Sequence, residues 1–426
     1  MTQLSAARSG QETNEMKRVA QRESQSVPFI REEIAAGRLV IPANPRHCAG
    51  RLDPVGIGRA LRTKINANIG ISAVSSDAPA ELAKLCVAAK FGADTVMDLS
   101  VGADLDAIRQ RLLDNSSLPL GTVPIYQVVQ EHSDDFEGIG FDDILAICRK
   151  QAQQGVDFFT IHAGILREHL PLAEKRLAGI VSRGGALLAK WMRANNQENP
   201  LYTHFDELCA LLAQYDVTIS LGDALRPGCL ADATDEAQLA ELRTIGELTV
   251  RAQQLGVQVI VEGPGHIPFD QIERNMKLEA EICHGAPFYV LGPVVTDIAP
   301  GYDHITSAIG ATAAAFYGAS FLCYVTPVEH LCLPNLEEVK QGVVVYRIAA
   351  HAADVARGLP GAREADDAIS SARADLDWQR QFDLSLDPEL ARNLHRRDLP
   401  EGADYCGMCG EDFCPLRLNK QMHSTR

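Results

Sequence analysis

Three cysteines near the end of the sequence have the spacing of a metal-cluster ligand set. Cys406, Cys409 and Cys414 form a C-x2-C-x4-C arrangement. Thiolates this close along the chain can bind three corners of a 4Fe-4S cluster and leave the fourth iron open, where S-adenosylmethionine (SAM) can chelate. Three such thiolates with His423 as a fourth ligand would instead form a tetrahedral zinc site. The spacing alone does not decide between the two.

Two histidines follow strand-like runs in separate loops. His266 ends the segment Glu262–His266, and His330 ends the segment Thr326–His330. Imidazoles with open coordination positions suit Zn²⁺ or Fe²⁺, so this pair predicts a second metal site. The alternative is that each histidine is an ordinary hydrogen-bonding residue.

A third group of residues suits an anionic substrate. Ser182-Arg183-Gly184-Gly185 offers a hydroxyl, a guanidinium and free backbone N–H groups, and Arg226 follows Asp223 closely. Arginine binds phosphate through a planar fork of N–H donors. An ordinary glycine turn with surface arginines would give the same pattern.

The elements that must position these residues alternate between β-prone runs and amphipathic helices. This repetition predicts a (β/α)₈ TIM-type barrel, with a doubly wound sheet as the alternative. Nine runs are one too many for a barrel, and Ile180–Gly185 is the one we expect to be a shorter strand or loop. The runs are Lys64–Ser72, Thr95–Ser100, Val123–Val129, Phe158–Gly164, Ile180–Gly185, Thr218–Gly222, Val257–Gly263, Pro287–Gly292 and Phe321–Thr326.

Polar residues gather at the carboxyl ends of these runs. Barrel enzymes build their sites at that rim, because all eight strands end on the same face. The residues are Asn66, Asn68, Asp98, Tyr126, His162, Ser182, Arg183, Gly184, Asp223, Glu262, His266 and Tyr289. We predict an N-terminal extension over residues 1–60, the barrel over 61–360, and a helical segment with the cysteine tail over 361–426.

Composition narrows the class of partner and compartment. The formal net charge of −16 argues against nucleic acid, which requires a basic face. No apolar run is long enough for a membrane span, and the polar N-terminal residues do not resemble a signal peptide, so we expect a cytoplasmic protein. The eight cysteines outside the tail motif lie mostly in apolar segments, and we expect them to be small buried hydrophobes.

Several segments together resemble the phosphomethylpyrimidine synthase family of thiamin biosynthesis, in its short form, over about residues 1 to 420. They are Asn66–Gly70, Met97–Ser100, Gly121–Gln127, Ile161–Gly164, Gly179–Gly185, Glu262–His266, Ala286–Gly292, Thr296–Thr306 and the cysteine motif. The resemblance implies a radical SAM barrel that acts on 5-aminoimidazole ribotide (AIR) as a homodimer. An electron donor such as flavodoxin or ferredoxin would reduce it.

The resemblance also implies roles for particular residues. Cys406, Cys409 and Cys414 would bind the 4Fe-4S cluster, and His266 and His330 a zinc ion (or Fe²⁺). Glu262 and His162 would be the catalytic hydrogen-bonding or proton-transfer residues. The implied substrate contacts are Asn68, Met97, Tyr126, His162, Ser182, Arg183, Gly184, Asp223, Ala224, Leu225, Arg226, Glu262 and Tyr289.

Three positions depart from the pattern of the family. Ala224 and Cys332 stand where its members typically have glycine, and Gly407 stands where they usually have serine. On these grounds we expect the branch that converts AIR to 5-hydroxybenzimidazole with release of formate, for the lower ligand of anaerobic cobamides. The alternative product is the thiamin pyrimidine, 4-amino-5-hydroxymethyl-2-methylpyrimidine phosphate. A zinc-dependent barrel hydrolase and a metabolite-binding barrel without turnover are remote alternatives.

Overall fold

Eight parallel strands form a closed barrel in the computed structural model, which confirms the predicted fold class. The strands are neighbours in chain order, and the last pairs with the first, so that Cys323 lies beside Asn66. A separate antiparallel pair, β1 (Leu39–Val40) and β2 (Ile57–Gly58), precedes the barrel. The barrel strands are β3 (Lys64–Ile69), β4 (Thr95–Asp98), β5 (Leu120–Thr122), β6 (Phe158–Ile161), β7 (Thr218–Leu221), β8 (Val259–Gly263), β9 (Phe288–Leu291) and β10 (Phe321–Cys323).

The structure describes residues 1–72, 78–397, 399–400, 403 and 405–424. Contacts divide the chain into two units, Met1–Asp354 and Val355–Arg426. Among the described residues no helix combines the length and apolar character needed to cross a membrane. The boundaries expected from the sequence, at residues 60/61 and 360/361, stay predictions.

Helices surround the barrel and precede it. Before the barrel lie α1 (Gln3–Arg8), α2 (Asn14–Glu23), α3 (Val27–Ala35) and α4 (Pro45–Cys48). Along the barrel lie α5 (Ala78–Phe91), α6 (Leu105–Asn115), α7 (Pro124–Glu131), α8 (Phe141–Gln154), α9 (Leu170–Ala173), α10 (Arg183–Asn195), α11 (Pro200–Thr203), α12 (Phe205–Tyr215), α13 (Glu236–Gln254), α14 (Ile272–Ile282), α15 (Asp303–Tyr317) and α16 (Leu336–Ala356). Short 3₁₀ turns occur at Arg167–His169, Leu230–Asp232 and Phe269–Gln271.

The N-terminal helices lie against the amino ends of the barrel strands. Their own apolar cluster includes Met16, Ile30 and Ile34, all fully buried. Asp157, which directly precedes β6, accepts hydrogen bonds from the backbone N–H of Asn44 (2.9 Å) and pairs with His47 Nδ1 (2.7 Å). This extension therefore occupies the end of the barrel opposite the carboxyl ends of the strands.

One of the predicted strands is wrong. Val123–Val129 is not a strand, because the strand ends at Thr122 and α7 begins at Pro124, whose ring fixes the φ angle that a first helical turn needs. Ile180–Gly185, the run that we expected to be a shorter strand or loop, is a loop up to Ser182. Ser182 caps α10 by accepting a hydrogen bond from the Gly185 N–H at 3.2 Å, so the segment is a helix start.

The second unit consists of four helices and the cysteine loop. They are α17 (Ala362–Ala374), α18 (Trp378–Leu384), α19 (Pro388–Arg396) and α20 (Pro415–Ser424). Its small core includes the rings of Trp378 and His395, which are tilted by 39° to each other with centroids 4.2 Å apart. So little buried apolar area gives this unit limited stability by itself.

Candidate active site at the carboxyl end of the barrel

Two adjoining cavities lie where the barrel strands end. The inner cavity, of about 90 Å³, reaches into the barrel, and the outer one, of about 290 Å³, opens beside it. Asn68 and Leu99 line both. The predicted residues that line the inner cavity are Asn68, Met97, Tyr126, His162, Asp223, Arg226, Glu262 and Tyr289. Polar groups from six different strands and their loops thus converge at one place.

A chain of hydrogen bonds crosses the first and last strands of the barrel. The Asn66 amide donates to Asn68 Oδ1 and to the Tyr289 hydroxyl, both at 2.8 Å. The Asn68 amide in turn donates to the sulfur of Cys323 at 3.1 Å. This network fixes the orientation of Asn68 at the boundary of the two cavities.

Cys323 was missed in the sequence as a site residue, because it was grouped with the buried hydrophobic cysteines. It is indeed buried, but it lines the inner cavity at the end of β10. Burial raises the pKa of its thiol to about 12, so the sulfur stays protonated at neutral pH. Its place as the last residue of a barrel strand was the signal that could have revealed it.

Glu262 is held by two hydroxyl groups inside the barrel. Its Oε1 atom accepts hydrogen bonds from Thr160 Oγ1 at 2.7 Å and from Ser220 Oγ at 2.6 Å. Burial raises the pKa of the Glu262 carboxyl, although these two hydrogen bonds oppose the rise. Thr160 and Ser220 were not predicted, since a single hydroxyl within a strand carries no sequence signal. The two hydrogen bonds fix one oxygen of the Glu262 carboxyl and leave the other oxygen for a hydrogen bond with a ligand.

His162 is buried beside the start of α10. Ser182 Oγ lies 3.2 Å from its Nε2 atom, and its Nδ1 atom has no partner among the described residues. Burial, together with the positive charge of Arg226, lowers the pKa of His162 to about 3, so the ring is neutral at physiological pH. A Cβ atom on Gly184 would lie 2.4 Å from the ring, so glycine is required there.

Two guanidinium groups provide positive charge at the cavities. Arg226 donates to Asp223 Oδ1 at 3.2 Å, and both side chains line the inner cavity. Arg183 lines the outer cavity and lies over the ring of Tyr126, 4.9 Å from its centroid. The structure thus gives the site two guanidinium groups suited to an anionic group, besides Lys84, which lines the outer cavity and is paired with Glu81.

The Asp223 carboxyl predicts a pH dependence of stability. Burial raises its pKa to about 8, with Arg226 opposing and Glu262 reinforcing the rise. Between the ordinary pKa of 3.8 and about pH 8, the Asp223 carboxyl is therefore protonated in the folded state and ionised in the unfolded state. The stability that this difference provides is lost as the pH rises through about 8. We expect the free energy of unfolding to fall more between about pH 5 and about pH 8 in the wild type than in Asp223→Asn.

Urea denaturation at a series of pH values measures this difference. Asp270→Asn, at an exposed position beside α14, should follow the wild type throughout the series. Equal pH profiles for wild type and Asp223→Asn would contradict the proposed protonation of Asp223.

Other predicted residues lie around the cavities without lining them. Ala224 and Leu225 are fully buried. Neither is among the described residues that line the two cavities. Ser182 and Gly184 pack against His162. These four positions can contact a ligand only through backbone atoms or through residues they support.

His266 and His330 come together as predicted. Their ring centroids are 5.3 Å apart, and each Nδ1 atom is bonded to a carboxylate, Asp297 at 2.8 Å and Asp303 at 2.9 Å. Carboxylates in this position orient a histidine so that its other nitrogen can bind a metal. Within the described part of the chain, however, no third His, Cys, Asp or Glu completes a metal-ligand group. The pair leaves coordination positions for water or a ligand.

The cysteine motif lies in a loop before α20. Cys406, Cys409 and Cys414 are free thiols, and the loop turns back so that the Gly410 N–H donates to the Cys406 carbonyl at 3.1 Å. Three free thiols in one loop are the ligand type that a 4Fe-4S cluster requires. In the described part of the chain, however, they are not close enough together to form a metal-ligand group. The side chain of His423, the alternative zinc ligand, lies outside the described residues.

The sequence matches the radical SAM ThiC family over residues 2–421. The chain belongs to this family. Relatives include two proteins named phosphomethylpyrimidine synthase, from Natronomonas pharaonis and Halobacterium salinarum. Each is 58% identical over 423 residues, which cover 98% of this chain and 88% of the relative. Among solved structures, the dihydropteroate synthase of Xanthomonas albilineans covers 75% of this chain and all of its own at 14% identity, with a TM-score of 0.44.

Membership of the radical SAM ThiC family corrects the expected product. The expectation of 5-hydroxybenzimidazole synthesis is wrong, since relatives that match nearly the whole chain are phosphomethylpyrimidine synthases. The structure explains why Ala224 is a poor indicator of the product. Its Cβ packs against the first turn of α10, where a Cβ on Gly185 would lie 2.7 Å away, so the extra methyl does not line the cavity. The same match sets aside the hydrolase and the non-enzyme hypotheses.

Proposed function

We propose that this protein is a phosphomethylpyrimidine synthase, which converts AIR into 4-amino-5-hydroxymethyl-2-methylpyrimidine phosphate with release of formate. The observation that carries the proposal is the 58% identity, over 98% of the chain, to relatives with that name. The reaction is a radical carbon–carbon lyase reaction of thiamin biosynthesis. The setting is cytoplasmic, and the enzyme works as a homodimer reduced by a donor such as flavodoxin or ferredoxin.

The substrate phosphate is assigned to the two cations and the helix start. Arg183 and Arg226 provide the guanidinium groups, and Arg183 is the first residue of α10, where the positive end of the helix dipole favours an anion. The imidazole and ribose then occupy the inner cavity beside Met97, Tyr126 and Tyr289. This placement directs the anionic end of AIR toward the outer cavity and the reacting ribose toward Glu262.

The remaining residues of the inner cavity orient the reacting atoms. Neutral His162 accepts or donates one hydrogen bond without adding charge, and Glu262 keeps its Oε2 atom for the substrate while Oε1 is fixed by its two hydroxyl donors. Cys406, Cys409 and Cys414 would hold the 4Fe-4S cluster, which together with SAM would supply radical chemistry. The barrel wall excludes water from this chemistry.

An anaerobic incubation tests the proposed function. Iron-reconstituted protein is mixed with AIR, SAM and a strong reductant, and the products are identified by mass spectrometry. We expect hydroxymethylpyrimidine phosphate, 5′-deoxyadenosine and formate, all dependent on AIR and SAM. Hydroxybenzimidazole as the product, or SAM cleavage that does not depend on AIR, would overturn it.

The histidine pair is assigned to a zinc ion or Fe²⁺. Each imidazole carries its hydrogen bond on Nδ1, which leaves Nε2 for the metal. Asp297→Asn keeps the size of the side chain but removes the charge that orients His266. We expect its zinc affinity to fall about 10- to 100-fold, as is usual when such a carboxylate is replaced.

Competition with a chromophoric chelator measures the zinc affinity of this variant. Asp206→Asn, on the outer helix α12, is the matched control and should bind zinc as the wild type does. An unchanged affinity in Asp297→Asn, or equal loss in both variants, would count against the assignment.

A further inference from the structure

The segment 223–226 carries two residues of the inner cavity but has no regular secondary structure of its own. Asp223 and Arg226 project from it, and the intervening Ala224 and Leu225 are fully buried. A short loop of this kind keeps its side chains in place only if its backbone groups are held from outside. The contacts that hold it come from three residues far from the reacting atoms.

Glu241 holds the loop from the side of α13. Its Oε2 atom accepts a hydrogen bond from the backbone N–H of Leu225 at 2.6 Å. The side chain is 2% exposed and lies in a small space behind the inner cavity, which Asp223, Arg226 and Glu262 also line. Burial raises the pKa of Glu241 well above its usual value.

Arg176 holds the same loop through the backbone carbonyl groups of the loop. Its guanidinium donates to the Leu225 carbonyl at 2.7 Å and to the Arg226 carbonyl at 3.3 Å. The guanidinium is itself fixed by Asp235, through two hydrogen bonds of 2.7 Å each. Asp235 also caps α13, where it accepts from the Gln238 N–H at 2.9 Å. The loop is therefore tied on both sides to the first two turns of one helix.

We infer that Arg176, Asp235 and Glu241 are positioning residues for the reaction, and together form a loop clamp that sets where Asp223 and Arg226 meet the substrate. Among the described residues that line the inner and outer cavities, none of these three occurs. Glu241 lines only the small space behind the inner cavity. The inference rests on the proposed function for the identity of the ligand, and on geometry alone for the clamp. Small displacements of such a loop are costly, because binding and reaction depend on orientation.

Glu241→Leu and Glu241→Gln separate positioning from general stability. Leucine leaves the Leu225 N–H without its acceptor, whereas glutamine keeps an acceptor oxygen at the same place. Glu279→Leu is the matched control, since Glu279 is also a buried helical glutamate, on α14, outside both cavities. Asp235→Asn is the second test, because asparagine caps a helix as well as aspartate but weakens the hold on Arg176.

Hydrogen–deuterium exchange of the intact protein tests the clamp without any ligand. In Glu241→Leu, the amides of residues 223–226 and of Gly228 should exchange at least about tenfold faster, the size expected for one lost hydrogen bond. Glu241→Gln should stay near the wild type, and Asp235→Asn should fall between. Exchange that rises equally in Glu279→Leu, or that does not change in Glu241→Leu and Asp235→Asn, would overturn the clamp.

Binding of AIR to the reconstituted enzyme tests the consequence for the site. We expect the Kd for AIR to rise about 10- to 100-fold in Glu241→Leu and less than about threefold in Glu241→Gln and Glu279→Leu. In turnover, the effect should appear in KM as well as kcat, whereas partial unfolding would lower kcat alone. Faster loop exchange with unchanged AIR affinity would overturn the positioning role. A wild type that binds no AIR would refute the proposed function, while the exchange data would still decide the clamp.

Discussion

Replacing Cys409 with alanine is expected to abolish both the iron–sulfur absorbance of the reconstituted protein and the formation of product. The proposed cluster has three protein ligands, so the loss of one leaves two thiolates on a loop with little other structure to hold it. Because the radical chemistry belongs to the cofactor, no protein group can replace it. Iron and sulfide content, the visible absorption spectrum and 5′-deoxyadenosine formation measure the outcome.

Cys86→Ala is the matched control for this experiment. Cys86 is an exposed thiol on α5, far along the chain from the motif, and its replacement should leave iron content and turnover unchanged. Binding of AIR should survive in Cys409→Ala, since the inner cavity is built by the barrel alone. A Cys409→Ala protein that keeps its cluster would mean that the ligand set is wrong, and zinc in the wild-type motif would favour the alternative site with His423.

The barrel was predictable because its strands carry a strong local signal. Runs such as Thr95–Asp98 and Thr218–Leu221 are short, β-rich and separated by helices of regular apolar spacing, which is the pattern of parallel α/β structure. Helices α8 and α12 are two of these amphipathic segments. The prediction failed at Val123–Val129, where a β-branched run forms a helix because Pro124 begins it and its apolar face is buried against the barrel.

The site was predictable at strand ends and much less so elsewhere. Asn68, Glu262 and Tyr289 follow from the rule that barrel sites lie at the carboxyl ends of strands. The groups that hold them in place do not, since Thr160 and Arg176 lie close to the site only after folding. Their sequence positions carry no motif, and their contacts span 102 and 49 residues respectively. A sequence thus indicates the chemistry of such a site more readily than the supports that orient it.

The product expected from the sequence was wrong for a related reason. In the sequence, Ala224 and Cys332 indicated a different product because Ala224 lies among the expected substrate contacts and Cys332 lies near the expected metal ligand His330. In the fold, the Ala224 methyl packs against α10, and the exposed Cys332 lines the outer cavity and not the inner one. Proximity in sequence to a functional residue therefore carried less information than overall identity to relatives.

Glu262→Gln is expected to lower kcat by about 10²- to 10⁴-fold while changing the affinity for AIR by less than about threefold. Glutamine has nearly the same shape, and its oxygen can still accept the hydrogen bonds from Thr160 and Ser220. What it lacks is the ability to take up or release a proton. The raised pKa of Glu262 makes its protonated form easier to reach than that of an ordinary glutamate.

Single-turnover measurements with AIR and SAM, alongside equilibrium binding, separate these two effects. Glu279→Gln provides the control, since it makes the same substitution at a buried glutamate of α14 that lines neither cavity, and it should leave kcat unchanged. If Glu262→Gln instead weakened AIR binding and kept its rate at saturation, Glu262 would serve to bind the substrate. A proton would then have to move through another group, and His162 is disfavoured as its donor, because a pKa of about 3 leaves the ring neutral at neutral pH, and the N–H of a neutral imidazole is a very weak acid.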